Sequence, residues 1–63
     1  MSPEVYAILE RIGEIAGAAE KTASAAMQGK VLPVNAANHL IGVASYIDAM
    51  SREVKDCIEK EKA

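Results

Sequence analysis

Phenylalanine and tryptophan are absent from this 63-residue sequence, and two tyrosines are its only aromatic residues. Any core must therefore be assembled from Ala, Ile, Leu, Val and Met. One cysteine, Cys57, excludes an intrachain disulfide, and one histidine beside it makes a poor metal-ligand set. A lone cysteine also suits a reducing compartment. The charges, seven basic and nine acidic, are interspersed and leave a net charge of −2. No basic block would follow a phosphate backbone, and no acidic run is long enough to imitate one. The longest run without Asp, Glu, Lys or Arg, residues 31–47, is broken by Pro33, Asn35, Asn38 and His39 and does not read as a bilayer span. The N-terminal stretch MSPEVYAILERIGEIAG places acids where a secretion signal carries bases and an unbroken apolar run. A soluble cytoplasmic protein is the expectation, with no membrane and no cofactor.

What is present is helical periodicity, twice. Ser2 is suited to cap a helix and Pro3 to open it, because a proline's missing N–H costs nothing at the first helical position. Glu4 favours the positive end of the helix dipole. Val5, Ile8, Leu9, Ile12, Ile15, Ala16, Ala19, Ala23, Ala26 and Met27 then recur at three- and four-residue steps. Gly29 stands where a left-handed residue ends a helix. A second stripe runs through Ala36, Leu40, Val43, Ala44, Ile47, Met50, Val54 and Ile58. Within it, Leu40, Ile47 and Val54, and likewise Val43, Met50 and Cys57, sit at steps of seven and form a short coiled-coil-like seam. The pattern predicts helices at about 3–28 and about 36–61, with a connection at 29–35 that Asn35 closes as a cap; a start at Pro33 is the alternative. Four opposite-charge pairs at i, i+4, namely Asp48–Arg52, Arg52–Asp56, Lys55–Glu59 and Asp56–Lys60, keep the last turns soluble.

A short link favours antiparallel neighbours. The expected fold is therefore all-α: an antiparallel two-helix hairpin. Below roughly 70–80 residues a single core seldom supplies more than about 3–5 kcal/mol. With disulfide and metal excluded, oligomerisation remains, and dimerisation into a four-helix bundle is expected. Ile8, Ile12, Ile15, Leu40, Ile47, Met50 and Val54 are its expected self-association core.

No catalytic signature emerges. His39 has no carboxylate or nucleophile placed beside it by spacing alone, and Ser24, Ser45 and Ser51 lack a base. Ser51 is expected to bond to a carbonyl one turn earlier. Cys57 reads as a small apolar residue at the margin of the stripe. His39, Tyr46 and Glu53 share one strip, which serves either as a contact surface, pH-sensitive through His39, or as the ordinary boundary between core and solvent; the boundary is favoured. Tyr6 shares another strip with Gly13 and Gly17, whose GxxxG spacing in a charged helix points to packing between soluble helices. Tyr6, Gly13, Gly17, His39 and Tyr46 are the candidate partner-binding residues.

The function expected is a non-catalytic protein–protein interaction module, a regulator or inhibitor that occludes a partner's surface. Its size and economy suggest a phage or mobile element as the source. The alternatives are RNA binding by a dimer face, which the acidity and the lack of an aromatic platform disfavour, and a small-molecule or nucleotide sponge with pockets lined by Tyr6, the glycines and Lys21.

Overall fold

A computed structural model describes residues 2–62. Two helices, α1 (Pro3–Met27) and α2 (Pro33–Lys62), fold back on each other as a hairpin, with no strand among the described residues.

Three of the helix ends have a local cause. Ser2 lies in extended backbone and its Oγ accepts from the Val5 amide at 3.3 Å, with Pro3 following as the first helical residue. At the other end, Gly29 adopts φ 76°. The Lys30 amide donates to the Ala25 carbonyl at 2.9 Å and the Gly29 amide to the Ala26 carbonyl at 3.1 Å, which is the paired bonding of a Schellman motif. A Cβ at Gly29 would meet no neighbouring atom, so the constraint there is the backbone angle alone. Gly29→Ala is expected to lower stability by about 1–2 kcal/mol, and a denaturant titration showing no loss would contradict this account of the turn.

The second helix starts earlier than an Asn35 cap implies. Pro33 occupies its first position, and the Ala36 amide bonds to the Leu32 carbonyl at 3.0 Å. Proline is preorganised for that place and forces the residue before it out of helical angles, so Leu32 becomes the boundary and Asn35 falls inside the first turn. The connection shortens accordingly.

Burial follows alternating three- and four-residue steps, strictly in α2; in α1 Gly17, Ala23 and Ala25 are also partly covered outside that series. In α2 the residues withdrawn from solvent are Ala36, Leu40, Val43, Ile47, Met50, Val54 and Cys57, and every other described position of the helix is exposed. In α1 the matching series is Val5, Ile8, Ile12, Ile15, Ala19, Thr22 and Ala26. These are the a and d positions of two heptad runs facing each other. Val5 is fully buried and Met50 only 9% exposed, while the isoleucines, Leu40 and Val54 are partly covered. The seam thus takes in the whole expected self-association core within one chain. Leu9, Ala16 and Met27 of α1 and Ala44 and Ile58 of α2, grouped by periodicity with the two stripes, lie exposed beside the seam.

Surface details agree with helical spacing. Ser51 Oγ donates to the Ile47 carbonyl at 2.8 Å, and Thr22 Oγ1 to the Ala18 carbonyl at 3.2 Å. Of the four anticipated ion pairs, Asp48–Arg52 closes, at 3.1 Å, and it is the one salt bridge among the described residues. Both partners are solvent-exposed, so its contribution is small.

The resulting body is a rod, 49 × 16 × 10 Å, with a radius of gyration of 14.7 Å. A compact chain of this length would have a radius near 11 Å. Its accessible surface is 4758 Å², whereas a compact monomer of its mass exposes about 3,900 Å². The surplus, about 850 Å², is surface that one hairpin leaves uncovered.

Candidate functional site

Heptad positions divide the surface of an antiparallel hairpin into two long flanks, because g borders d and e borders a on each helix. On one flank stand the g residues: Glu4, Arg11, Ala18 and Ala25 of α1, with His39, Tyr46, Glu53 and Lys60 of α2. On the other stand the e residues: Leu9, Ala16 and Ala23, with Ala37, Ala44, Ser51 and Ile58.

The g flank contains a cleft of about 350 Å³, lined by Ile15, Asn38, His39, Gly42, Val43 and Tyr46. Ile15 and Val43 belong to the seam and give it an apolar floor. Gly42, one residue before Val43, removes a side chain from its wall. His39 and Tyr46 stand two turns apart on either side, with Tyr46 51% exposed. The sequence strip of His39 and Tyr46 is therefore brought into one concave place. Asn38 and Gly42 join it unannounced, though the His39–Gly42–Tyr46 spacing of three and four residues was the available signal. Tyr6, Gly13 and Gly17 lie elsewhere, on the outer side of α1, with Tyr6 largely exposed. A Cβ built on Gly13, Gly17 or Gly42 would meet no neighbouring atom within 4 Å. Nothing in the hairpin itself requires these residues to be glycine.

At the open end of the same flank, Cys57 is partly buried near Glu4. Desolvation raises its thiol pKa, the Glu4 and Glu53 carboxylates raise it further, and Lys60 opposes them weakly. The thiol stays protonated at neutral pH, the opposite of what a nucleophilic cysteine needs. Among the described residues no group of His, Cys, Asp or Glu is arranged to hold a metal. The cleft has no carboxylate lining it, so His39 there lacks an orienting acid. Its volume lies at the low end for ligand pockets, and its lining suits an apolar side chain of a partner.

The e flank differs in kind. None of its seven e residues is charged. The neighbouring b positions add Tyr6, Gly13 and Met27 on α1 and Val34 and Ile41 on α2, interrupted by Glu20, Asp48, Lys55 and Lys62. Among the described residues, the large apolar side chains left exposed are Tyr6, Leu9, Met27, Leu32, Val34, Ile41, Tyr46 and Ile58. All except Leu32, in the turn, and Tyr46, on the g flank, fall on this e and b side.

No helix among the described residues is long and apolar enough to cross a membrane. Comparison with protein-family models, with curated proteins and with solved structures gives no match to the chain.

Proposed function

We propose that this hairpin is a non-catalytic protein–protein interaction module that works as a homodimer. Two hairpins associate into a four-helix bundle, and the outer surface of the bundle occludes a complementary surface on a larger partner. A regulator or inhibitor is the kind of protein this describes. The observation that carries the proposal is the imbalance of burial: among the described residues Val5, Ala36 and Met50 are the buried apolar ones, against eight large apolar side chains left exposed. Solvated apolar surface of this extent is characteristic of an association site. A preformed helical face binds with little ordering cost, which favours recognition by a chain this small.

The test is the absolute mass in solution, by light scattering across a dilution series. Twice the chain mass, held over the series, is the expected result. A single-chain mass at every concentration would overturn the dimer. Retention of the protein on RNA, weakening steeply with added salt, would overturn the protein-interaction function.

A further inference from the structure

We infer that the e flank is the homodimer interface, and that the second copy lies on it antiparallel, with the two turns at opposite ends of the bundle. This rests on the homodimer proposed above and specifies its geometry.

Three independent features select the flank and the occupant. The first is charge. The g positions carry Glu4, Arg11, Glu53 and Lys60, whereas the e positions carry no charge, and the charges on their side, Glu20, Asp48, Lys55 and Lys62, stand at the outer b positions. An uncharged central strip with charges at its rim is the pattern of a face that loses its water. The second is area. The surplus of about 850 Å² over a compact monomer matches the ~800 Å² that each partner of a standard interface buries. A face running the length of a rod 49 Å by 16 Å supplies that area in a single contact.

The third is shape, and it names a second copy of this chain. Side-chain bulk along the e flank is graded. Leu9 and Ile58 lie toward the open end, Ala16 and Ala44 at mid-length, and Ala23 and Ala37 toward the turn. Ile15 and Val43 line one cleft, so Ala16 and Ala44, the next residues, stand at the same level. A twofold axis in the interface, crossing the helices at this level, lays α1 antiparallel on the partner's α1 and α2 on the partner's α2. Leu9 then faces the small residue Ala23 of the other copy, and Ile58 faces the turn, where Leu32 is exposed. Ala16 meets its own counterpart, as does Ala44. A surface whose bulky end fits its own small end is self-complementary, as an isologous interface requires. The alternative twofold axis, parallel to the helices, would stack bulk on bulk and leave the alanines facing a gap.

Ala44→Glu and Ala18→Glu provide the test. Both alanines are exposed on the single hairpin and glutamate is a good helix former, so neither change disturbs the seam. Ala44→Glu is expected to halve the mass measured by light scattering, and mixing it with Ala44→Lys to restore the double mass. Ala18→Glu, on the g flank, is expected to keep the double mass. An undiminished mass for Ala44→Glu, or a halved one for Ala18→Glu, would overturn the assignment while leaving the dimer standing. A wild-type protein of single-chain mass would remove both. If Ala44→Glu unfolds, disulfide trapping decides instead. In a Cys57→Ser background, Ala16→Cys is expected to oxidise readily to a covalent dimer and Ala18→Cys to remain monomeric on a denaturing gel. The reverse pattern would overturn the inference.

Discussion

Met50→Asp will have no cooperative thermal transition by circular dichroism and no dimer-sized species by light scattering. Met50 is one of the three buried apolar residues among those described, at 9% exposure, and it occupies a d position opposite α1. An aspartate there is either an unpaired charge in apolar surroundings, at a cost of several kcal/mol, or a protonated acid with lost packing. A domain of this size has about 3–5 kcal/mol in total. The substitution therefore removes the hairpin and every assembly built from it. Met50→Leu, nearly volume-conserving, is expected to cost less than about 1.5 kcal/mol. That contrast separates loss of polarity matching from mere alteration of the site. A cooperatively folded Met50→Asp monomer would show that the seam is not what holds the helices together.

The second large effect has the opposite sign. Gly13, Gly17 and Gly42 lie within helices, each open to a methyl group without any contact inside 4 Å. Glycine in a helix interior costs roughly 0.5–1 kcal/mol relative to alanine. Each kcal/mol shifts the melting temperature of a small domain by about 4–8 °C. Replacing all three by alanine is therefore expected to raise the melting temperature by about 6–24 °C. The individual variants carry further information. Gly42 adjoins the His39–Tyr46 cleft, and Gly13 borders the e flank. Full stabilisation by Gly42→Ala with little or none from Gly13→Ala would mean that a second chain approaches α1 closely at Gly13. If none of the three stabilises, the glycines are covered in solution by something the single hairpin lacks.

Much of the hairpin was legible in the sequence because its determinants are local. Ser2, Pro3 and Gly29 each mark a helix end by a property of one residue: a hydroxyl acceptor, a fixed φ, a tolerated positive φ. The seam of α2 was legible for the same reason, since steps of seven survive without knowledge of a partner helix. In both helices periodicity takes in more than the seam. Leu9, Ala16 and Met27 in α1, and Ala44 and Ile58 in α2, satisfy helical periodicity as well as Ile12 and Ile47 do, but a two-helix seam is narrower than an apolar stripe. The residues left over are those on the e and b side. At the start of α2 the capping side chain of Asn35 competes with Pro33 as a preorganised first residue, and the proline prevails. The cleft was half legible: His39 and Tyr46 share a strip by spacing, but Ile15 reaches it only through the tertiary register of the two helices.

The rod shape has a hydrodynamic consequence. A body of 49 × 16 × 10 Å experiences more drag than a sphere of its mass and emerges early from a sizing column calibrated with globular standards. One hairpin would therefore elute at the volume of a larger globular protein. Antiparallel stacking of two rods thickens the particle while barely lengthening it, bringing the assembly closer to a sphere. Dimerisation would thus double the mass while changing the elution volume less than doubling implies, and a difference in sedimentation rate would report it far more clearly than a difference in column retention.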